Sequence, residues 1–230
     1  MTAPSHTVPS FEHHDDRIVV DVWSDVVCPF CYLGETLLSQ AVERSGRPVE
    51  VRYHSFQLMP ELPPGPGRDV VDVLGELRGI SRDQAEAMNA QVAARGAELG
   101  LELRFERALV ANTRDAHRLL HLARAHDLQH ALARRLFRAY FTDGLDLGDH
   151  DVLVDLATEV GLERDHVAQV LAGSAHADDV DADIAWARRL GISGVPFFVL
   201  DGKYAVSGAQ PPELFDQALA TAWDARSESS

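Results

Sequence analysis

Two residues in the 230 carry thiols, and they lie three apart as Cys28-Pro-Phe-Cys31. A C-x-x-C pair can shuttle between dithiol and disulfide when the segment opens a helix, because one turn brings the second sulfur back beneath the first. The reactive species is the thiolate. At a helix start, unpaired N–H groups and the helix dipole favour a negative sulfur, and such placement lowers a cysteine pKa from ~8.5 to between ~3.5 and ~7.5. Pro29 suits a first turn because it has no N–H to leave unpaired. Phe30 presents an apolar face. The reading is an exposed attacking thiol, Cys28, and a buried resolving thiol, Cys31.

The flanking elements must hold that geometry. Ile18 to Trp23 is a short, β-branched, nearly continuous apolar strand, and Ser24 to Phe30 is a turn. Leu33, Leu37, Leu38, Ala41 and Val42 then form one helical stripe from Cys31 onward, with Gly46 placed to end it. Residues Val49 to Leu58 alternate as a second strand. The proline- and glycine-rich stretch 60–68 marks a boundary, after which helical spacing dominates. Ser81 and Gln84 form a capping box, and Asn112 or Thr113 can cap a helix carrying Ala116, Leu119, Leu120 and Ala123. Further helical stripes run through Leu132–Phe141, Val152–Val160, Val167–Leu171 and Ile184–Leu190. Near the end, Phe197 to Leu200, the turn signal Asp201-Gly202, and Tyr204 to Val206 spell a hairpin; Pro211-Pro212 then opens a last helix reaching Trp223. The expected architecture is an α/β thioredoxin fold, βαβ…ββα, interrupted by a large all-helical insertion. Residues 17–60 and 191–224 form its thioredoxin-like domain, 61–190 a helical insert domain, and 1–16 a flexible tail containing His13-His14.

Val195-Pro196 stands before the hairpin, on the loop this topology places opposite the start of the first helix. A cis bond there would aim the Val195 backbone at a bound chain, with no Pro196 N–H to compete. Asp25, three residues before Cys28, reads as a base for Cys31, as a like charge that raises the Cys28 pKa, or as a turn former after the strand. Trp23 and Tyr32 flank the motif and read as packing residues that could wall it. Asn112, Thr113 and His117 read equally as a helix start with a surface histidine and as residues facing the site. A zinc site would need further ligands such as His117 with His121 or His126 with His130, but 85 residues separate Cys31 from His117, far from finger spacing. No metal is expected, and no nucleotide or flavin pattern is present. The cysteine pair is the only redox group the reading needs.

Composition narrows the partners. The formal charge of −15 would repel phosphate backbones and anionic lipid, which argues against nucleic acid and membrane partners. No apolar run approaches the ~20 residues of a membrane span. The first residues show no basic start, apolar stretch or cleavage site, so the expected address is the cytoplasm. The strand Tyr204 to Val206 offers an edge on which a homodimer could form, a point the sequence leaves open.

Four segments in order carry a family resemblance: Ser24-Asp-Val-Val-Cys-Pro-Phe-Cys-Tyr-Leu-Gly34, Asn112-Thr-Arg-Asp-Ala-His117, Tyr140-Phe-Thr-Asp-Gly144 and Ser207-Gly-Ala-Gln-Pro211. With Gly194-Val-Pro-Phe-Phe198 they resemble the DsbA-like branch of the thioredoxin superfamily, and more narrowly its FrnE-type cytoplasmic members. The resemblance implies thiol–disulfide oxidoreductase or isomerase activity on protein or small-thiol disulfides, with the insert over the active site. Periplasmic oxidants of this branch usually carry Pro-His between the cysteines. Phe30 cannot donate to a thiolate as histidine can, so a strongly oxidising potential does not carry over. Kappa-class glutathione transferases and 2-hydroxychromene-2-carboxylate isomerases share the layout, but usually hold serine where Cys28 stands and lack the second cysteine. They are the alternative reading.

Overall fold

The computed structural model describes residues 11, 14 and 16–227. Four strands form the central sheet: β1 (Ile18–Ser24), β2 (Val49–Ser55), β5 (Phe197–Leu200) and β6 (Tyr204–Ser207), in the order β2-β1-β5-β6. β1 and β2 are parallel, joined by α1 (Pro29–Ser45); β1–β5 and β5–β6 are antiparallel. The hairpin turns on Asp201 and Gly202, both at positive φ, the geometry that matches the twist of the strands it joins. The last helix, α9 (Pro212–Ser227), packs beside α1. This is the thioredoxin fold.

β1 is buried along its whole length, yet its two faces differ. Ile18, Val20 and Val22 enter the main core with Leu33, Leu37 and Phe198. Trp23 enters a second, smaller core with Trp186, Ile192 and Val199. Phe11 packs on Trp23 and Trp186, and His14 bridges to Arg17; the remainder of the expected tail, His13 included, lies outside the described residues.

The insertion supplies α2 (Val70–Arg78), α3 (Arg82–Glu98), α4 (Arg114–Arg124), α5 (Gln129–Arg138), α6 (His150–Glu159), α7 (Arg164–Ala172) and α8 (Ala177–Arg189). α5 continues into a wider π turn at 139–143, while α4, α5 and α8 reach β2. The Ser81–Gln84 capping box forms at the start of α3, with both reciprocal hydrogen bonds made. The insert is not wholly helical. β3 (Arg68–Asp69) pairs with β4 (Leu109–Val110), and Val70 N–H donates to Ala108 O at 3.1 Å. That ribbon ties the proline-rich boundary to the chain entering α4. β2 stops at Ser55, three residues before the expected end, because the chain peels away and Leu58 N–H donates to the Asp25 carboxylate at 2.8 Å.

Candidate active site

α1 begins at Pro29, two residues earlier than its apolar stripe indicates, with Cys28 as N-cap. The turn before it closes through Cys28 N–H to Asp25 O at 3.0 Å, and the helix opens through Cys31 N–H to Cys28 O at 3.0 Å. This turn places both sulfurs at the end of α1. Neither thiol is in a disulfide. Gly34, one turn on, has no side chain to spare: a Cβ there would stand 3.0 Å from both Pro196 Cγ and Phe198 Cζ. Its absence lets α1 lie directly against the 194–196 loop.

The Val195–Pro196 bond is cis. Cys28 Sγ lies 3.7 Å from Val195 O. Cys28 is only 4% exposed, so the expected open thiol is corrected to one seated at the bottom of a cleft. Walls from Phe30, Leu58, Leu74, Leu77, Met88 and Val195 enclose it, in a hollow of about 550 Å³. Phe30, Leu58, Leu77 and Met88 are four of the six large apolar side chains exposed among the described residues. α2 and α3 provide the far wall. Sequence periodicity marks their apolar positions as core and cannot show that they face a reactive sulfur.

Cys31 is 1% exposed. Burial pushes its thiol well above the ordinary cysteine range, and the neighbouring Cys28 thiol adds to the effect. Hydrogen bonds from the Ser24 hydroxyl and the Asp25 backbone N–H oppose the rise without cancelling it. Ser24 is a contact that sequence reasoning missed; its only signal was a hydroxyl in the turn ahead of the motif.

Asp25 is completely buried. Its Oδ2 accepts from Leu58 N–H, and its Oδ1 lies 3.4 Å from His117 Nε2 without hydrogen-bond alignment. His117, brought in by α4, is therefore a buried neighbour of the motif and not a surface histidine. Asn112 stands apart from the sulfurs. Its Oδ1 accepts from Arg114 N–H (2.9 Å) and Gln57 Nε2 (3.0 Å), and its Nδ2 donates to Leu62 O (2.6 Å). It thus caps α4 and pins the boundary segment, while Thr113 makes no side-chain cap bond. Trp23 stacks on His54 at 4.7 Å, and Tyr32 stacks on Phe137 at 5.1 Å. The four histidines of the zinc alternative go four ways: His117 to Asp25, His121 to Asp183, His130 to Glu35, and His126 against His166. Among the described residues no cluster of three or more metal-ligating side chains forms.

A cysteine pair at the start of the first helix, facing a cis-proline loop across a helix-covered cleft, defines a thioredoxin-fold protein with an inserted helical region. The comparisons make the class specific: residues 19–220 match the DSBA-like thioredoxin domain, and the chain belongs to that family. It is similar to the crystal structure of a probable DsbA oxidoreductase from Streptomyces coelicolor, 41% identical over 90% of each chain with a TM-score of 0.83. A 2-hydroxychromene-2-carboxylate isomerase shares the fold at 17% identity and TM-score 0.69, covering 92% of this chain and 99% of its own. So does the cytosolic disulfide reductase DsbM from Pseudomonas aeruginosa, solved with glutathione, at 22% identity and TM-score 0.61, covering 90% and 99%.

Proposed function

We propose that this chain is a thiol–disulfide oxidoreductase or isomerase of the FrnE-type branch, acting in the cytoplasm on protein or small-thiol disulfides. The observation that carries the reading is the placement of Cys28. Its sulfur sits at the first turn of α1, 3.7 Å from Val195 O and open to an apolar cleft, with Cys31 buried behind it. Cys28 attacks one sulfur of a substrate disulfide and forms a mixed disulfide, releasing the other substrate sulfur as a thiol. Cys31 then gives up its proton and attacks Cys28. This closes the Cys28–Cys31 disulfide and frees the second substrate thiol. Two electrons pass from the cysteine pair to the substrate, and the reverse sequence oxidises a dithiol. The Val195 backbone holds the substrate chain in the manner of an added strand. The two cysteines supply the redox chemistry without a metal or organic cofactor. The two-part layout, 17–60 with 191–224 around an insert at 61–190, sets the cleft between the parts.

Insulin reduction by dithiothreitol tests this, comparing wild type with Cys28→Ser. Thiol exchange requires that the variant lose the activity. Glutathione-conjugating or isomerase activity surviving in Cys28→Ser would instead favour the transferase and isomerase reading. No described helix is long and apolar enough to cross a membrane.

A further inference from the structure

Buried polar atoms are ordinarily paired, because a group taken out of water without a partner loses its hydrogen bonds and gains none. Seven buried side-chain atoms among the described residues have no hydrogen-bond partner. Two of them, Asn89 Nδ2 and Tyr140 OH, belong to residues that line the cleft holding Cys28. Asn89 is 8% exposed and comes from α3; Tyr140 is 1% exposed and comes from the π turn after α5. The buried residues of α3 are otherwise Ala85 and Gly96, so the Asn89 amide interrupts a face that an apolar side chain would continue. Tyr140 stands edge-on to Phe141 at 4.6 Å, a contact that a phenylalanine would make equally well. Packing explains neither the amide nor the hydroxyl, and the insert supplies both to the cleft of the reactive sulfur.

We infer that Asn89 and Tyr140 form a binding subsite that donates hydrogen bonds to a backbone carbonyl of a polypeptide disulfide seated in the cleft. The inference rests on the proposed thiol exchange and names its substrate class. Asn89 Nδ2 can only donate. The Tyr140 hydroxyl keeps its proton, since burial and the charges of Asp25 and Asp69 raise its pKa, so it can donate as well. Two neutral donors in apolar surroundings suit a neutral acceptor. A carboxylate brought to them would lose its hydration with no cation to replace it. Arg78 is the one charged side chain among the residues lining the cleft, and it is exposed. That chemistry separates a polypeptide chain from glutathione, which carries a carboxylate at each end. Leu74, Leu77, Met88 and Val92 offer apolar contact to the side chains of such a substrate, and the Met88 thioether adapts to varied shapes. Solvent touches neither donor atom, so their pairing waits for an acceptor that the substrate itself brings past the apolar wall. The chain is then held at two places, by the Val195 backbone beside the sulfur and by this subsite on the insert.

Stopped-flow kinetics of the reduced protein test this with three disulfides: a peptide disulfide with apolar neighbours, glutathione disulfide, and bis(2-hydroxyethyl) disulfide, which has no carbonyl. Tyr140→Phe and Asn89→Leu each remove one donor at nearly constant volume. Below saturation, each variant is expected to react at least about fivefold more slowly than wild type with the peptide disulfide, and within about twofold of wild type with the other two. Both variants should resist urea at least as well as wild type, because an unpaired polar atom has left the interior. A merely structural role would lower stability and slow all three reactions alike. Unchanged peptide rates in both variants overturn the subsite, and so does an equal fall with bis(2-hydroxyethyl) disulfide. An equal fall with glutathione disulfide overturns the assignment to a polypeptide. Should Asn89→Leu fail to fold, Tyr140→Phe, which loses a single oxygen, decides alone. If wild type reacts with none of the three disulfides, the proposed function fails instead, a different outcome from a variant that keeps the wild-type selectivity.

Discussion

Two buried polar clusters beside β1 look alike in composition and differ in how they are wired. Behind the sulfurs, Asp25 and His117 sit side by side with three of their four side-chain polar atoms unpaired. In the other cluster, His54 donates from Nδ1 to Asp183 and from Nε2 to Asp21, each at 2.8 Å. Asp183 also accepts from Ser55 N–H (2.8 Å) and lies 3.1 Å from His121 Nε2, leaving Asp21 Oδ2 as the single unpaired atom. Trp23 and Trp186 enclose the His54 ring. Both clusters join the thioredoxin unit to the insert, through α4 in the first case and through α8 and α4 in the second. The His54 cluster is held by a nearly complete set of hydrogen bonds, whereas Asp25 and His117 approach each other without one. Burial is alike in the two clusters; the completeness of pairing is not.

The sharpest way to break this contrast is to remove His54. His54→Leu leaves Asp183 and Asp21 buried without their cation, and breaking a buried pair from one side costs about 3–5 kcal/mol. His117→Leu should cost less than about 2 kcal/mol, since its ring nitrogens make no hydrogen bond. Urea denaturation of both variants measures the difference, and equal losses would erase the distinction. Titration gives the next largest effect. Burial alone would lower the His54 pKa, but hydrogen bonds to Asp183 and Asp21 outweigh it and raise the value to about 9. A raised histidine stabilises fully below its unfolded value of about 6.5 and loses that stabilisation as pH climbs through 9, here a contribution of about 3 kcal/mol. Burial raises the Asp183 pKa, while His121 and His54 lower it by more, so the net shift is downward. Its contribution is present above about 3.8 and is lost as pH falls toward the folded value. Stability measured from pH 3 to pH 10 should therefore show a plateau, and His54→Leu should remove its alkaline edge.

The contrast was only partly legible in the residues themselves. Local signals with a local cause were: the apolar strand at Ile18, the Ser81–Gln84 box, the stop at Gly46, the Asp201-Gly202 turn and the redox pair. His54 read as one position in an alternating strand, because its partner Asp183 lies 129 residues away and just ahead of the stripe that begins at Ile184. α8 starts earlier, at Ala177, on residues whose helical signal is weak without the sheet beneath them. The β3–β4 ribbon was invisible for the same reason, since a two-residue pairing between Arg68–Asp69 and Leu109–Val110 is set by tertiary contact. Asn112 and His117 sit in one short segment, yet one pins a loop and the other faces Asp25; helical phase at the start of α4 separates them.

The sulfurs themselves give the third test, smaller in free energy and direct in readout. With Cys28 replaced by serine, Cys31 is buried with its pKa pushed upward, and at pH 7 it should hold its proton and resist iodoacetamide. With Cys31 replaced by serine, Cys28 remains at the bottom of the open cleft. Labelling at pH 7 followed by mass spectrometry should show the Cys31→Ser protein modified at least ten times faster, about 1.4 kcal/mol in barrier. Comparable rates would mean that Cys31 is not the shielded member of the pair.

Glu35 is the intermediate case and carries the smallest effect. It lies one turn after Cys31 on α1, almost fully buried, with Oε1 bound by Ser39 Oγ (2.6 Å) and His130 Nε2 (3.0 Å) and Oε2 unpaired. Burial raises its pKa, but the His130 and Ser39 hydrogen bonds lower it by more, and the nearby Arg134 cation adds to them. If completeness of pairing sorts the clusters, Glu35 belongs with the structural group through one oxygen alone. Glu35→Gln keeps the shape and loses the charge, exchanging charge-assisted bonds for neutral ones at a cost of about 1 kcal/mol. That cost is present above the ordinary glutamate range and shrinks as acid protonates the wild-type carboxyl. Denaturation at pH 7 and pH 3 should show the gap between wild type and variant narrowing. A gap as large as that of His54→Leu would show that one bound oxygen pins a buried carboxylate as firmly as two.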